Sequence, residues 1–388
     1  MMEQWPEVFF WVTVFHLSAI SIWELLGHYA FFRIPHLRQF DDDAPKQWPS
    51  VSIIFSAKDE QREIELAARS MLQVEYPNLQ ITAVNDRSTD QTGEILDRLA
   101  SEDKRLKVVH VDALPDGWLG KNNALHQAAL AADTDYLLFT DADVSFDAEC
   151  VKRAISYVEH HRVDHLAMFP RVPMPSLMLN AFVVFFFKMF VLYYQAWRVS
   201  NPKSKAFVGI GAFNLVRNSV FRDVDGFERI RMEVVDDLLL GKLIKQSRFR
   251  QHTLIAREDI SVPWYGSVPE MVVGLDKNTY AGVNYNPFIW GGMLMSIALA
   301  FLWPFVAVFL FTGTLQTLFA AICLVLVVST GWMALRMEIT PLVAFCIPFI
   351  VGIFLFTIAR AGIIFYIRGG IKWRDTFYTK EQLRNGRL

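Results

Sequence analysis

The sequence predicts an α/β protein, with a mostly parallel β-sheet covered by helices on both faces and joined to transmembrane helices. Three observations support this prediction. The 388 residues are 53% hydrophobic, with a mean hydropathy of +0.25, yet 20% of them are charged, which favours a water-soluble domain attached to membrane segments. Short apolar runs alternate with helical patterns in the middle of the chain. Long apolar segments lie before and after that region.

Four short apolar runs rich in β-branched residues account for the predicted strands. They are "VSIIFSA" (51–57), "LQITAVND" (79–86), "LKVVHVD" (106–112) and "YLLFTDAD" (136–143). The segments between them repeat apolar residues every three or four positions, as in "EQREIELAARSMLQ", which is typical of amphipathic helices. This alternation of strands and helices favours a parallel sheet covered on both faces.

The first 34 residues are predicted to form a membrane anchor. Residues 8–31 are long enough to cross a bilayer, and they lack the basic start and small-residue cleavage site of a removed signal peptide. Acidic residues precede this segment and basic residues follow it: Glu3, Glu7, Arg33 and Arg38. The positive-inside rule therefore predicts an inner (plasma) membrane protein whose next domain, residues 48–282, is cytoplasmic.

Three further apolar segments, within residues 288–366, are predicted to be transmembrane or re-entrant. They are 288–311, 315–335 and 342–366. One anchor plus three crossings would put the basic tail, 367–388, outside the cell, whereas the positive-inside rule favours the inside. Pro304, Pro348 and Arg360 are compatible with one broken or re-entrant segment, so the number of spans stays open.

Residues 177–197 are apolar enough to span a membrane but are expected to form an interfacial helix. A single crossing at this point would place the carboxylates before and after it on opposite sides of the bilayer. Lys188 and Gln195 can reach water while the aromatic residues contact lipid. A buried core helix is the structural alternative.

Polar residues lie at the ends of three predicted strands: "KDE" after the first, "NDRSTD" at the second and "DAD" at the fourth. Each has a plain interpretation by itself, as a charged turn or as a helix cap. In a doubly wound sheet, however, the carboxyl ends of the parallel strands meet at one edge, where ligands bind. We therefore expect these carboxylates to converge in one crevice.

Asp141 and Asp143 form a D-x-D pair, and a bound cation is the simplest reason to place two carboxylates at the tip of a buried strand. No glycine-rich phosphate loop follows the first strand, and "GIGAF" (209–213) contains only part of a dinucleotide motif. Phosphates would then be held through the cation, for which oxygen ligands favour Mg²⁺ or Mn²⁺. Asp143 is the preferred metal ligand, with Asp141 directed to the nucleoside or to the waters of the ion.

Charge and cysteine content argue against other classes of protein. The net charge of −2, without a long basic stripe, gives no electrostatic basis for binding nucleic acid. The three cysteines lie far apart without metal-binding spacing, which indicates neither a disulfide framework nor a zinc site. His252 could be an additional metal ligand, although a lone histidine is more often structural.

Six motifs, in order and at similar spacing, resemble those of membrane-bound family 2 glycosyltransferases. They are "FSAKDE", "VNDRSTDQT", "GWLGKNNAL", "TDAD", "GIGAFNLVRNSVF" and "VVDD". The resemblance covers roughly residues 48–245, and the order of anchor, domain and spans extends it over most of the chain. The "GW-x-GK" element is similar to that of bacterial enzymes that glycosylate hopanoids, carotenoids or related lipids, and to ceramide glucosyltransferases.

This resemblance implies a GT-A fold and an inverting transfer from a nucleotide-diphosphate sugar, in particular a UDP-sugar. By position, the residues implied to line the uridine pocket are Ala57, Glu60 and Asp86. Asp141 and Asp143 correspond to the DxD pair, and Lys121 would approach the nucleotide. A cation there can neutralise phosphate. Taken without the other motifs, Lys121 would be read as a solvated lysine at a helix start.

The "VDD" element aligns with the family motif that carries the catalytic base, which implies that Asp237 is the base and Asp236 its neighbour. Two carboxylates at a helix start also have a plain structural interpretation, because they are favourable to the helix dipole. An inverting transfer needs one base within reach of the acceptor hydroxyl. The metal would stabilise the leaving diphosphate, so no acid catalyst is required.

One departure from the family concerns the acceptor. Processive polysaccharide synthases carry Q-x-x-R-W shortly after the base, whereas this chain has "PWYGSVPEMVVGLDKNTYAG" (263–282). Trp264, Lys277 and Tyr280 are the candidates for an acceptor region, although a juxtamembrane belt of aromatic and basic residues is an equally good interpretation. The departure favours a single transfer over polymer synthesis.

The sequence thus predicts a cytoplasm-facing membrane glycosyltransferase that moves one sugar from a nucleotide donor to a lipid or isoprenoid acceptor in the bilayer. A short-chain or processive polysaccharide synthase is the alternative within the enzyme class. A membrane scaffold or transport component with a degenerate nucleotide domain is the alternative outside it.

Overall fold

A seven-stranded sheet organises the structure, a computed structural model that describes residues 5–40, 44–283, 285–373 and 376–385. In chain order the strands are β1 (Val51–Ala57), β2 (Leu79–Asp86), β3 (Leu106–Val111), β4 (Tyr136–Asp141), β5 (Ser145–Phe146), β6 (His165–Phe169), β7 (Asn214–Arg217), β8 (Gln251–Ile255), β9 (Ile260–Ser261), β10 (Gly370–Trp373) and β11 (Thr376–Thr379). The large sheet has the order β3-β2-β1-β4-β7-β6-β8. Two short ribbons, β5 with β9 and β10 with β11, lie outside it.

The sheet is mostly parallel, as the sequence predicts. Strand β1 pairs in parallel with β2 and β4, β2 pairs in parallel with β3, and β6 does so with β8. Strand β7 is antiparallel to both of its neighbours, β4 and β6. The carboxyl ends of the four predicted strands therefore share one edge of the sheet, which is the edge where ligands bind in such folds.

Fifteen α-helices are present in the described residues. They are α1 (Trp5–Phe32), α2 (Ile64–Leu72), α3 (Thr92–Glu102), α4 (Gly120–Ala131), α5 (Cys150–His161), α6 (Leu177–Tyr194), α7 (Asn218–Asp223), α8 (Asp236–Gln246), α9 (Val268–Gly274), α10 (Asp276–Ala281), α11 (Pro287–Ile297), α12 (Trp303–Leu310), α13 (Gly313–Arg336), α14 (Ile347–Arg368) and α15 (Lys380–Asn385). Helices α2 to α5, α7 and α8 follow or separate the strands of the large sheet.

Both faces of the large sheet are buried. Successive side chains of a strand point to opposite sides, so neighbouring residues enter two different cores. Ile53 and Leu138 contribute to one hydrophobic core, together with residues of α2, α3 and α5. Ile54 and Leu137 contribute to a second core, together with residues of α4 and α8. Burying each such side chain contributes about 1.5–3 kcal/mol. Apolar runs without strict alternation are thus the expected signature of these strands.

The chain divides into two compact units. The sheet unit comprises Ile34–Pro173, Tyr194–Pro263 and Thr379–Leu388, and the membrane unit comprises Met1–Arg33, Met174–Tyr193 and Trp264–Tyr378. The predicted cytoplasmic domain had included residues 177–197 and 264–282. In the structure most of the first segment and all of the second group with the apolar helices.

Five helices of the described residues are long and apolar enough to cross a membrane. They are Glu7–Phe32, Leu177–Tyr194, Pro287–Leu310, Gly313–Arg336 and Pro341–Arg368. The third contains a π-helical turn at Ala298–Leu302, which ends two residues before Pro304. Proline lacks an N–H group and clashes with the carbonyl four residues earlier, so a local change of helical hydrogen bonding is expected there.

Helix α6 packs within the membrane unit through a buried ion pair. The Nζ atom of Lys188 lies 2.8 Å and 2.7 Å from the two carboxylate oxygens of Glu24 on α1, and both residues are only 3% exposed. Ser329 of α13 donates to the same carboxylate and also bonds His28, at 2.8 Å. Lys188 therefore pairs with an acidic group of a neighbouring helix, whereas an interfacial helix was expected to extend this lysine into water.

Candidate active site

The predicted carboxylates at the strand ends do converge. Ser56 of β1 pairs with Asp141 of β4, and Ala57 of β1 pairs with Asn85 of β2, the residue before Asp86. Ala57 is fully buried. The ends of β1, β2 and β4 therefore lie side by side, because these strands are parallel neighbours in register.

Lys121 joins carboxylates from different parts of the chain. It lies in the first turn of α4, and its Nζ atom is 2.8 Å from Oδ1 of Asp141 and 3.3 Å from Oδ2 of Asp236. Burial alone would lower the pKa of Lys121, but the carboxylates of Asp141, Asp236 and Asp237 together raise it above its ordinary value. The lysine is therefore a permanent cation at this site.

Asp236 and Asp237 are the first two residues of α8. Burial, together with the charges of Asp236 and Asp141, raises the pKa of Asp237 to about 7, against the opposing effect of Lys121. Burial likewise raises the pKa of Asp236. Oδ1 of Asp237 accepts a hydrogen bond of 2.7 Å from the N–H of Leu238. A carboxylate with a pKa near neutrality is suited to act as a general base.

A small cleft places these groups around one space. Its lining residues are Lys121, Leu125, Phe139, Thr140, Gly211, Asn214, Phe227, Asp236 and Asp237. Apolar side chains form one part of this lining and the lysine with the two aspartates forms another. Such a mixture is typical of ligand sites in which a few polar groups orient a bound molecule.

Two glycines of "GIGAF" allow the backbone to approach these aspartates. A Cβ atom on Gly211 would lie 2.4 Å from Oδ2 of Asp141, and a Cβ atom on Gly209 would lie 1.7 Å from the carbonyl oxygen of Asp237. No side chain fits at such distances. In the sequence this segment contains part of a dinucleotide motif and begins the family motif "GIGAFNLVRNSVF", but neither pattern predicts these close approaches. Its signal was the pair of glycines between two carboxylate motifs.

Asp143 lies beyond the end of β4 and is mostly buried. Burial, with the charges of Asp141 and Glu60, raises the pKa of Asp143 to about 7. Among the residues that the structure describes, its Oδ1 atom has no hydrogen-bond partner although it is buried. A buried carboxylate oxygen without a partner, close to two other acidic groups, fits a divalent cation.

The side chains of the described residues do not complete such a cation site by themselves. Within the described ranges there is no group of three or more His, Cys, Asp or Glu side chains arranged to hold a metal ion. Mg²⁺ is commonly bound by one or two carboxylates plus substrate phosphates, and Asp141 with Asp143 match that requirement. The donor set thus fits an ion that is shared with a bound phosphate.

The two polar loops after β1 and β2 form one structure. The N–H of Glu60 donates to the hydroxyl of Thr92 at 2.8 Å, and the N–H of Thr89 donates to Oδ1 of Asp59 at 2.8 Å. Asp59 and Arg87 both have positive φ angles, of 54° and 57°. These hydrogen bonds explain why "KDE" and "NDRSTD" occur together, because each loop supplies hydrogen-bond partners for the other.

Asp86 forms an ion pair with its neighbour Arg87, a contact that the sequence motifs do not predict. Arg87 donates to its two carboxylate oxygens at 2.8 Å and 2.9 Å, and Asp86 is 3% exposed. The start of α4 is so close that a Cβ atom on Gly120 would lie 2.3 Å from Oδ2 of Asp86. Asp86 therefore lies beside the helix turn that carries Lys121.

Asn122 supports the segment that leads to Asp236. This side chain is fully buried, and its amide donates to the carbonyls of Ile230 and Glu233 at 2.8 Å and 2.9 Å. In the sequence, the family motif implies a role for its neighbour Lys121 but none for Asn122. Lys121 thus contacts the carboxylates of Asp141 and Asp236, and the next residue, Asn122, contacts the chain segment that precedes Asp236.

The predicted acceptor residues lie in the membrane unit. Trp264 is 37% exposed, and its ring lies 5.3 Å from that of Phe186. Tyr280 is 1% exposed and its hydroxyl bonds the carbonyl of Tyr285 at 3.0 Å, so it is a packing residue of this unit. The side chain of Lys277 lies outside the described part of the structure.

His252 has a structural environment. Its Nδ1 atom bonds the hydroxyl of Tyr157 on α5, at 2.8 Å. Burial, with the charges of His161, Arg250 and Lys245, lowers the pKa of His252 to about 4. These contacts support the structural interpretation of this lone histidine.

Comparisons with known proteins agree with this geometry. The family model described as glycosyl transferase family 2 matches residues 52–225. The chain is 28% identical over 155 residues to a beta-monoglucosyldiacylglycerol synthase of Nostoc sp., covering 39% of this chain and 32% of that protein. It is 23% identical over 279 residues to a poly-beta-1,6-N-acetyl-D-glucosamine synthase of Staphylococcus aureus, covering 69% and 63%. The chain thus spans only about a third of the length of the first of these relatives.

A solved structure supports the fold. The mannosyltransferase PcManGT from Pyrobaculum calidifontis, in complex with GDP-Man and Mn²⁺, has a TM-score of 0.54 and 16% sequence identity, with 92% of this chain and 99% of that chain covered. The predicted GT-A fold and the predicted family resemblance are both confirmed. Residues 52–225 of this protein form a glycosyl transferase family 2 domain.

Proposed function

We propose that the protein transfers a single hexose, with inversion, from a nucleotide-diphosphate sugar to a hydroxyl group of a membrane lipid. The observation that carries this proposal is the position of Lys121, whose ammonium lies between Asp141 at a strand end and Asp236 beside Asp237. One small space thus has phosphate-binding chemistry on one side and a base on the other.

The donor would bind at the edge formed by β1, β2 and β4. Asp143 and Asp141 would hold a divalent cation, Mg²⁺ or Mn²⁺, together with the diphosphate. When bound, such an ion neutralises the charge that develops on the leaving diphosphate. Lys121 adds a second positive charge to the same region. The uridine contacts expected of Ala57, Glu60 and Asp86 remain part of this proposal, with Arg87 orienting Asp86.

Asp237 would act on the acceptor. Its carboxylate takes the proton of the acceptor hydroxyl as that oxygen bonds to C1 of the sugar and the bond from C1 to the phosphate oxygen breaks. The nucleoside diphosphate leaves as the anion. A pKa of about 7 lets Asp237 be ionised in an appreciable fraction of molecules at neutral pH and still bind a proton effectively.

The choice of a lipid acceptor rests on the membrane unit and on the relatives. Five helices of the described residues are able to span a bilayer, and one similar protein is named a beta-monoglucosyldiacylglycerol synthase. Aromatic residues around Trp264 are suited to the interface between lipid and water.

We also propose that the protein lies in the inner (plasma) membrane and that its sheet unit is in the cytoplasm. The chain leaves this unit after Pro173 and returns at Tyr194, and it leaves again after Pro263 and returns at Thr379. Each of these two segments of the membrane unit begins and ends at the sheet unit. If the sheet unit lies on one side of the bilayer, each segment crosses the bilayer an even number of times. Helix α6 would not cross singly, and one of the three later apolar segments would be re-entrant. The basic tail would be cytoplasmic, as the positive-inside rule favours.

Polymer synthesis is the second candidate function. The similarity to the Staphylococcus aureus polysaccharide synthase extends over 69% of this chain, which is longer than the match to the lipid enzyme. The absence of Q-x-x-R-W from residues 263–282 favours a single transfer. The two functions share a donor site and differ in their product.

The test is a product analysis with the purified full-length protein. Radiolabelled UDP-hexoses and a total lipid extract are incubated with Mn²⁺, and labelled products are identified by mass spectrometry. We expect a lipid carrying one hexose, formed by the parent and not by Asp237→Asn. A labelled polymer would support the alternative function. GDP-hexoses are assayed in parallel, and if no nucleotide sugar is consumed, even by hydrolysis, the proposal is wrong and the non-catalytic scaffold is supported.

A further inference from the structure

A row of three buried polar side chains crosses the large sheet next to the candidate base. Gln251, His165 and Asn214 lie on β8, β6 and β7, which are adjacent in the sheet, and they are 1%, 0% and 2% exposed. A polar side chain in such a core costs free energy unless its hydrogen bonds are made. The row therefore requires an explanation beyond packing.

The hydrogen bonds of this row run in one direction. Nε2 of Gln251 donates to Nδ1 of His165 at 2.6 Å, and Nε2 of His165 donates to Oδ1 of Asn214. Nδ2 of Asn214 then donates to the backbone carbonyl of Asp237 at 3.2 Å. Each donor meets an acceptor only if the His165 ring is neutral with its proton on Nε2. Burial lowers the pKa of His165 to about 4, which keeps the ring in this form.

The row also fixes the loop that faces Asp141. The second hydrogen on Nε2 of Gln251 is shared between the carbonyls of Val208 and Gly241, at 3.1 Å and 3.0 Å, and Oε1 accepts from the N–H of Val208 at 3.2 Å. Val208 precedes Gly209, which lies against the carbonyl of Asp237. Gln251 thus ties helix α8 to this loop, while Asn214 holds the first turn of the same helix.

We infer that His165 is a positioning residue for the transfer reaction, acting through Asn214 on the backbone of Asp237. This inference rests on the proposed function, because it assigns a purpose to the placement of the base. His165 makes no contact with the cleft lining other than Asn214 among the hydrogen bonds of the described residues. Its effect would therefore appear in the rate of transfer and not in the affinity for the donor.

The test uses two substitutions of His165. His165→Gln keeps one acceptor and one donor at similar reach, whereas His165→Leu has similar bulk and removes both. Misplacement of a reacting group by ~1 Å costs on the order of 100-fold in rate. We expect kcat to fall about 10- to 100-fold in His165→Leu and to stay within about threefold of the parent in His165→Gln. The Kd for the UDP-sugar with Mn²⁺ should be unchanged in both variants.

Thr253→Val is the matched control. Thr253 is a buried polar residue of the same strand as Gln251, and its hydroxyl donates to the carbonyl of Ala167 at 3.0 Å without joining the row. Its loss should leave kcat unchanged. If His165→Leu does not fold, Gln251→Met is measured in the same way, with a smaller fall in kcat expected at unchanged donor affinity.

The outcomes separate this inference from the function on which it rests. The positioning role is overturned if folded His165→Leu has the kcat of the parent. If Gln251→Met replaces that variant, a parent-like kcat in Gln251→Met overturns it in the same way. So does a parallel loss of kcat and donor affinity, which would indicate a general packing defect. Asp237→Asn is measured beside them. If it is inactive while His165→Leu is parent-like, only the positioning role fails, whereas parent-like Asp237→Asn rejects the base itself.

Discussion

The ammonium of Lys121 lies 2.8 Å from Oδ1 of Asp141. The same nitrogen is 3.3 Å from Oδ2 of Asp236, so the end of β4 and the start of α8 share one cation. The sequence motifs "TDAD", "GWLGK" and "VVDD" are far apart in the chain, and the two contacts of Lys121 bring them together in one site. Removing the cation should disturb both sides of the cleft.

Lys121→Met keeps most of the length of the side chain and removes its charge. We expect kcat/KM to fall about 10- to 100-fold, since hydrogen bonds to charged groups are worth about 1.5–3 kcal/mol. Lys121 opposes the rise in the pKa of Asp237, so its loss should also move the acidic limb of the pH–rate profile to higher pH. Lys245→Met is the control, because this half-buried lysine bonds only the carbonyls of Val199 and Asn201 among the described residues. An unshifted limb in Lys121→Met would contradict the electrostatic coupling.

Asp237→Asn should retain donor binding and lose transfer. General base catalysis contributes roughly 10²- to 10⁴-fold, and we expect a loss of kcat in that range. Burial and the neighbouring carboxylates raise the pKa of Asp237 to about 7 in the free enzyme. The value of kcat/KM for the parent should therefore be low well below pH 7 and should increase as the pH rises through 7. The measurements are transfer rates from pH 5 to 9 and donor affinity by calorimetry. A parent profile that stays flat down to pH 5 would be inconsistent with Asp237 as the base. Asp223→Asn, on the surface, serves as the control.

Asp143→Asn should change stability in opposite directions with and without metal. The pKa of Asp143 is raised to about 7 in the folded protein, so the folded state holds a proton that the unfolded state has already lost. Stability therefore decreases as the pH rises from about 4 to about 7. In EDTA at pH 8 the variant should have a higher Tm than the parent, with a smaller difference at pH 5.

Added Mn²⁺ with UDP should reverse the order of these Tm values. The parent gains binding free energy from the ion, whereas the variant lacks the carboxylate that holds it. Thermal unfolding in detergent, followed by tryptophan fluorescence, measures both conditions. An equal rise in Tm for parent and variant on adding Mn²⁺ and UDP would remove Asp143 from the metal site.

The pair formed by Lys188 and Glu24 should be important for the stability of the membrane unit. Lys188→Met leaves the buried carboxylate of Glu24 without its cationic partner, which typically costs about 3–5 kcal/mol. We expect a large fall in Tm for this variant and substantial recovery in the double variant Lys188→Met with Glu24→Gln. Transfer activity, normalised to folded protein, should change little. Recovery that fails in the double variant would indicate that Lys188 stabilises α6 independently of Glu24.

Much of the sheet could be predicted from local pattern. Strands β1 and β2 begin and end where the apolar runs 51–57 and 79–86 do, because apolar character and β-branching are properties of neighbouring residues. The clustering of Asp86, Asp141 and Asp143 also followed from the rule that parallel strand ends share an edge. The resemblance to family 2 glycosyltransferases then identified Lys121 and Asp237 by position.

The strands, the acidic strand ends and the apolar helices are each encoded by residues close together in the chain, which is why local pattern predicts them. Only the tertiary structure showed the contact of Gly209 with Asp237, the row from Gln251 to Asn214 and the pairing of Lys188 with Glu24. These contacts depend on the order of strands and the packing of helices that are distant in sequence. In particular, β7 lies antiparallel between β4 and β6 and brings Asn214 to the base. No local periodicity carries that information, since the contact forms only when distant segments pack together.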